Sequence, residues 1–249
     1  MAKYTFVDSR ISNEEYSALS YYCPNIIKVP SSSLLYPSVC GHPDMLLHIL
    51  DANRLMVHKD MDEAFVDTLL NYGFEVIHSA ESLSYKYPGD IILNAASSKS
   101  MFIHNLKYTD EKLMDIMKKR QDYNKNFTMI DVPQGYTKCS LAVLGYNCFI
   151  TSDKPIYNKL HSMGYNILYV PPGNILLPGL DYGFIGGCCG IIDDNTVAFY
   201  GNLNFYKYGK EVISFLKKCG IDILYLSKSN LVDRGSILSC DFNGGTTRI

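Results

Sequence analysis

The stretch RGSILSCDF, residues 234–242, decides the fold because its pattern, a glycine followed by an apolar, strand-like run, occurs four times earlier in the chain. A pattern that returns at intervals of several tens of residues is the signature of a repeat architecture. The leading glycines of the five segments are Gly41, Gly89, Gly135, Gly173 and Gly235. The four earlier segments are CGHPDMLLHIL (40–50), PGDIILNAAS (88–97), QGYTKCSLAVL (134–144) and PGNILLPGL (172–180).

Each of the first four glycine-led segments is followed by the same succession of patterns. In the first unit these are a second apolar run, RLMVH (54–58), a helical pattern, MDEAFVDTLLNYG (61–73), and a third run, FEVIHS (74–79). Apolar residues three and four apart predict a helix, and short runs rich in β-branched and aromatic residues predict strands. The repeating unit is therefore predicted to be strand, strand, helix, strand.

The two ends of the chain each carry part of a fifth unit. The segments TFVDSR (5–10), SNEEYSALSYY (12–22) and NIIKVP (25–30) predict a strand, a helix and a strand, and the run after Gly235 supplies the missing first strand. Pairing the terminal strands would leave no open sheet edge at that seam. We predict one α/β domain over residues 1–249, a five-fold pseudosymmetric α/β propeller whose ring the N- and C-terminal strands close, with 243–249 as a flexible tail. An ordinary α/β sheet with similar βα units is the alternative.

Composition restricts the function. The 249 residues are 47% hydrophobic and carry a formal net charge of -2, which indicates a globular protein without the basic surface that nucleic acids or anionic membranes require. Apolar runs are too short for a signal peptide or a membrane span. We expect a cytoplasmic protein most of whose thiols are reduced. The Cys40-Gly41-His42 and Cys188-Cys189 motifs lack zinc-site spacing, so neither a metal nor a cofactor is expected.

Polar side chains recur just after the leading glycines. In a strand, the first, third and fifth residues after each glycine would share one face. That face would carry His42, Asp44, Asp90, Lys138 and Cys240 and look toward the centre of a ring. A thiol, an imidazole and carboxylates in one place are the groups that covalent thiol catalysis uses. The alternative is that these residues only form turn exits or a solvated sheet face.

Five such units, the H-x-D of His42 to Asp44 and a late glycine-led strand ending in Cys240 resemble the pentein superfamily, the guanidino-group-modifying enzymes. The resemblance implies a hydrolase or transferase that acts on a guanidino or amidino C–N bond through a covalent cysteine intermediate. Its partner would be a small cationic ligand. Cys240 would be the nucleophile, His42 the acid and base, and Asp44 its neighbouring carboxylate. The residues expected to bind substrate are Asp90, Lys138, Asn174 and Arg10.

The sequence also departs from the pattern of the well-known deiminases. Their H-x-D lies in the third unit, where this chain has Tyr136 and Lys138. A lysine facing the substrate would repel a guanidinium ion unless it pairs with Asp44 or Asp90. These differences favour the second hypothesis, a catalytically inactive pentein-fold binding protein.

Overall fold

The structure is a computed structural model that describes residues 2–145 and 147–242, and it has the predicted α/β architecture. Within those residues, strands form five sheets of three strands each. In each sheet the central strand pairs antiparallel with the first strand of the unit and parallel with the third, and a helix joins the central strand to the third. This arrangement confirms the strand, strand, helix, strand unit. The predicted tail, 243–249, lies outside the described residues.

Each unit takes its elements in chain order, except that the terminal unit combines the last strand with the first two. The strands are β1 (Ala2–Asp8), β2 (Asn25–Val29), β3 (Leu47–Ile49), β4 (Arg54–Val57), β5 (Glu75–His78), β6 (Ala96–Ser97), β7 (Met101–His104), β8 (Thr128–Asp131), β9 (Leu141–Val143), β10 (Cys148–Thr151), β11 (Asn166–Tyr169), β12 (Cys189–Ile191), β13 (Thr196–Phe199), β14 (Asp222–Tyr225) and β15 (Leu238–Phe242). The helices are α1 (Asn13–Ser20), α2 (Pro43–Leu46), α3 (Glu63–Asn71), α4 (Glu111–Tyr123), α5 (Thr137–Ser140), α6 (Lys154–Ser162) and α7 (Gly209–Lys218), with 3₁₀ turns at Leu106–Tyr108, Gly186–Cys188 and Leu203–Phe205.

The terminal unit is formed by β15, β1 and β2. Strand β15 pairs antiparallel with β1, with Tyr4 opposite Cys240 and Phe6 opposite Leu238. Strand β1 pairs parallel with β2 across helix α1. The strand after Gly235 therefore completes the unit that the N-terminal segments begin, as predicted.

The leading glycines mark the units but do not begin the strands. Gly41 and Gly135 precede the short helices α2 and α5, and β3 and β9 begin only after them. The segment after Gly173 forms no strand, so the prediction that it opens the fourth unit is wrong. Gly173 and Asn174 both have positive φ, 101° and 62°, which breaks an extended chain. The first strand of the fourth unit is β12, within the stretch IGGCCGI (185–191).

Gly190 lets β12 and the terminal unit approach closely. A Cβ added at this position would clash with the backbone carbonyl of Ile237. We expect Gly190→Ala to lower the free energy of unfolding by about 3 kcal/mol, because backbone must move in a packed interior. Gly164→Ala is the control, since a Cβ at this position has no atom within 4 Å. Its only expected cost is the strain of placing alanine in the left-handed conformation, φ 82°, which is about 1 kcal/mol. If chemical denaturation showed the same loss of unfolding free energy in both variants, the close approach at Gly190 would be contradicted.

The cysteines are not all reduced. Cys148, at the start of β10, and Cys219, at the end of α7, form a disulfide between the third and fourth units. The other six cysteines are free, so most of the thiols are unpaired, and the fold brings this one pair together from residues far apart in sequence. Among the described residues, no helix is both long and apolar enough to cross a membrane.

Candidate functional site

Six polar side chains lie together where α2, α5 and the turn before β15 meet, and we call them the buried polar cluster. The carboxylate of Asp44 accepts a hydrogen bond from Oγ of Ser236 at 2.6 Å. Its two oxygens also lie 3.4 and 3.3 Å from the Sγ of Cys139. Asp44, Cys139 and Ser236 are each at most 3% exposed. The six members are His42, Asp44, Asn94, Lys138, Cys139 and Ser236.

Asn94 and Lys138 join different units through this cluster. The Nδ2 of Asn94 donates to the backbone carbonyl of Asp44 at 2.9 Å and to the Sγ of Cys139 at 3.2 Å. The Nζ of Lys138 donates to the Oγ of Ser236 at 2.9 Å. Lys138 thus compensates the charge of Asp44 through one hydroxyl group. Lys138 therefore lies on the side of Asp44, one of the two carboxylates with which the sequence analysis considered pairing it.

Ser236 has an unusual backbone conformation that fixes its hydroxyl group. Its φ is 70°, in the left-handed region, and φ of the preceding Gly235 is 71°. Its backbone N–H donates to the carbonyl of Gly187 at 2.8 Å, and its Oγ lies 2.8 Å from the carbonyl of Gly186. A non-glycine residue held in this region by its neighbours is a feature that concentrates at functional sites.

His42 shares this region with two carboxylates. It is 1% exposed, and its Nδ1 lies 3.7 Å from Oδ1 of Asp233 and has no hydrogen-bond partner within residues 2–145 and 147–242. His42, Asp44 and Cys139 each offer one ligand atom, and these three atoms lie within 4.8 Å of one another. The thiol that the structure brings to the H-x-D motif is therefore Cys139. Burial, followed by the charge of Asp44, raises the pKa of the Cys139 thiol well above its usual range.

A cavity of about 570 Å³ is lined by the first strands of all five units and by the residues that follow them, and we call it the strand cavity. Asp44 and Lys138 contribute to its wall and connect it to the buried polar cluster. Further residues that line it include His48, Asp51, Lys99, Arg120, Cys189 and Cys240.

Cys240 lies on the wall of the strand cavity. Burial, followed by the charges of Asp241 and Asp51, raises the pKa of its thiol to about 12, so the sulfur is protonated at neutral pH. His42 is not among the residues that line this cavity. A cation bound beside Cys240 would lower the pKa of this thiol.

Asp90 forms a second acidic position, before the first strand of the second unit. It is 1% exposed, and its Oδ2 accepts a hydrogen bond from Oη of Tyr136 at 2.5 Å. Its Oδ1 is buried and has no hydrogen-bond partner among the described residues. Burial raises the pKa of the Asp90 carboxyl. The pKa of Tyr136 is raised as well, by burial and by its hydrogen bonds with Asp90 and Tyr36.

Aromatic rings surround Asp90, and we call them the aromatic cluster. Tyr136 stacks on Phe184 with ring centroids 6.2 Å apart and contacts Tyr87 at 6.1 Å. Tyr85 and Tyr87 are 60% and 48% exposed, so the aromatic cluster reaches the surface of the protein. Sequence reasoning named Asp90 as a substrate-binding residue but missed these rings, although the chain's 20 tyrosines and absence of tryptophan were a compositional signal. Its members are Tyr36, Tyr85, Tyr87, Tyr108, Tyr136, Tyr182 and Phe184.

Two predicted substrate-binding residues lie elsewhere. Asn174 is exposed in a loop of the fourth unit. Arg10 forms an ion pair with the buried Asp8 at 2.6 Å and donates to the backbone carbonyl of Pro37 at 2.6 Å. Neither residue lines the strand cavity.

These features define the class of the protein, which has the pentein fold. The amidinotransferase of the saxitoxin biosynthetic pathway from Microseira wollei superposes with a TM-score of 0.58 at 10% identity, covering 99% of this chain and 96% of that one. The agmatine deiminase from C. jejuni gives 0.58 at 11% identity, covering 96% and 93%. A dimethylarginine dimethylaminohydrolase gives 0.55 at 11% identity, covering 90% and 92%.

The chain belongs to DUF6873, a family of unknown function whose model matches residues 6–238. No curated protein matches it in sequence. The match spans all five units of the fold.

Proposed function

We propose that this protein binds a small guanidino or amidino cation at Asp90, beneath the aromatic cluster. The observation that carries the proposal is Oδ1 of Asp90, a buried carboxylate oxygen without a hydrogen-bond donor. Leaving such an oxygen unpaired is unfavourable, and a planar cation with several N–H groups would supply the missing donor. The second oxygen is already held by Tyr136, which orients the carboxylate.

The aromatic cluster supports the same class of ligand. Faces of aromatic rings attract cations, with about 0.5–2 kcal/mol for each well-placed ring. A ligand would have to displace part of the aromatic cluster to reach Asp90, and exposed side chains such as that of Tyr85 change rotamer within nanoseconds. The fold agrees with this proposal, since the solved structures that it resembles include an agmatine deiminase and an amidinotransferase.

The proposal predicts that charge, not shape, decides binding. Methylguanidinium and acetamidinium are expected to bind at least about tenfold more tightly than methylurea, which has a similar planar shape without the charge, because the charged hydrogen bond alone is worth about 1.5–3 kcal/mol. Isothermal titration of the full chain measures the affinities. Equal affinity for methylurea, or no binding of either cation, would contradict the proposal.

A second candidate function is chemistry on the C–N bond of such a cation in the strand cavity. It is favoured by one observation, that Cys240 and Asp44 line the same cavity. A guanidinium ion held by Asp44 would lower the pKa of the Cys240 thiol. The sulfur would attack the guanidinium carbon, an amine would leave with the proton given up by the thiol, and water would then displace the sulfur. In a transferase, a second amine would replace the water.

This second candidate predicts selective modification of Cys240 by a cationic reagent. Chloroacetamidine is expected to alkylate Cys240 at least about tenfold faster than neutral chloroacetamide does, which corresponds to about 1.4 kcal/mol of attraction for the cation. Cys40, the one partly exposed free cysteine among the described residues, is the internal control and should show no such preference. Peptide mapping by mass spectrometry gives both rates. Faster labelling of Cys40, or no preference at Cys240, would rule out a cation-activated nucleophile there.

A further inference from the structure

We infer that His42, Asp44 and Cys139 form a binding site for one divalent transition-metal ion of the zinc type. The inference is independent of the cation site proposed at Asp90. It rests on the geometry of the buried polar cluster and on a buried nitrogen, Nδ1 of His42, that has no hydrogen-bond partner in the part of the chain that the structure describes.

The spacing of the donor atoms suits a tetrahedral ion. One ligand atom from each of the three residues lies within 4.8 Å of the other two. The Sγ of Cys139 lies 3.3 Å from Oδ2 of Asp44. With metal–ligand bonds of about 2.0–2.3 Å, neighbouring donors of a tetrahedral zinc ion lie roughly 3.5 Å apart. A small movement of the His42 ring would therefore complete three bonds to one ion.

The donor set selects the kind of metal. One imidazole nitrogen, one thiolate sulfur and one carboxylate oxygen form the mixed set that zinc and its neighbours prefer, whereas magnesium and calcium require oxygen donors. Three protein ligands leave the fourth tetrahedral position to water or another ligand. Asp44 lines the strand cavity, so this position has solvent nearby.

Hydrogen bonds from residues that are not themselves ligands already hold two of the three ligands in place. Asn94 donates to the sulfur of Cys139, and Ser236 donates to Oδ2 of Asp44. Such partners orient ligands in known metal sites, and their loss typically weakens metal binding about 10- to 100-fold.

Charge in this region also favours a divalent ion. Asp44 and Asp233 are two carboxylates at 1% and 3% exposure, and Lys138 is the ammonium that reaches the cluster. With Cys139 as a thiolate, three negative charges face one positive charge. A divalent cation makes the region neutral, which the low dielectric constant of a protein interior favours.

The metal would join units that are distant in sequence. His42 and Asp44 belong to the first unit and Cys139 to the third, so one ion would fasten α2 to α5. No short spacing motif marks this ligand set, because its members come from positions 42, 44 and 139.

Cobalt titration of the full chain, stripped with a chelator, tests the inference. We expect one equivalent of Co²⁺ to bind with a thiolate-to-cobalt charge-transfer band, and Zn²⁺ to displace it. Cys139→Ser should abolish the band, and Ser236→Ala should weaken binding about 10- to 100-fold. Cys240→Ser and Cys188→Ser, which remove other buried thiols, should leave the band unchanged.

Wild-type protein provides the test that does not depend on a variant folding. X-ray absorption of the zinc-loaded chain should show one sulfur at about 2.3 Å together with nitrogen and oxygen ligands at about 2.0–2.2 Å. A spectrum with two sulfur ligands would assign the ion to another pair of cysteines. A spectrum without a sulfur ligand would exclude Cys139 as a ligand. Either of these spectra would overturn the inference. It would also be overturned by a cobalt band that survives in folded Cys139→Ser, or by a wild-type protein that fails to bind one equivalent of metal.

Discussion

Asp90→Asn is expected to weaken binding of methylguanidinium about 10- to 100-fold, because a hydrogen bond to a charged partner contributes about 1.5–3 kcal/mol. The substitution keeps the size of the side chain and removes its charge. Asp51→Asn is the matched control, since Asp51 lines the strand cavity and not the aromatic cluster. Titration calorimetry of both variants against wild type measures the effect. If Asp51→Asn lost more affinity for methylguanidinium than Asp90→Asn, the cation site would have to be assigned to the strand cavity.

The same site predicts how affinity depends on pH. Burial raises the pKa of Asp90 above the usual value of 3.8 in the free protein, and a guanidinium ion binds the ionised carboxylate. Affinity should therefore increase with pH up to that raised pKa and level off above it. In Asp90→Asn the dependence should disappear. A slope that persists in the variant would assign the titration to another group.

Lys138→Met is expected to lower the free energy of unfolding by about 2 kcal/mol, because it removes a hydrogen bond donated by a charged group, which is worth about 1.5–3 kcal/mol. The ammonium of Lys138 reaches the buried Asp44 through the hydroxyl group of Ser236. Without it, the carboxylate keeps only uncharged donors. Urea denaturation in the presence of a chelator measures the loss in the metal-free protein.

Two further variants separate charge from packing at this position. Lys99→Met, at an exposed residue on the strand cavity, should change stability by no more than about 0.5 kcal/mol. Asp44→Asn combined with Lys138→Met should recover most of the stability lost in Lys138→Met, because the uncompensated charge is gone. If the double variant lost as much unfolding free energy as the two single variants lose together, Lys138 would be acting through packing.

The sequence was sufficient for the repeat and the order of its elements because each unit carries its own local signals. Alternating apolar runs and helical spacing identified the strands and helices, and the incomplete segments at the ends led to the β1–β15 pair. The position of Gly173 was misread because a glycine before an apolar run looks the same whether it starts a strand or a loop. Only the consecutive positive φ angles at residues 173 and 174 distinguish the two.

The site was harder to predict from the sequence. The residues after the leading glycines were assigned to faces as if they formed strands, whereas those after Gly41 and Gly135 form short helices. Asp44 and Lys138 do approach one cluster, but a helical turn also carries Cys139 into it. By strand phase, Cys139 would have pointed to the opposite face. The aromatic cluster was missed for another reason, since its rings come from five separate loops and follow no common spacing.

The pairing of β15 with β1 also constrains how the chain folds during synthesis. Strand β1 is made first, and its antiparallel partner is made only after all the intervening strands. Contacts between residues so far apart in sequence form slowly, because the loop between them must be closed first. The first three-stranded sheet to begin is therefore the last to be completed, and β1 has an unpaired edge open to wrong partners until β15 pairs with it.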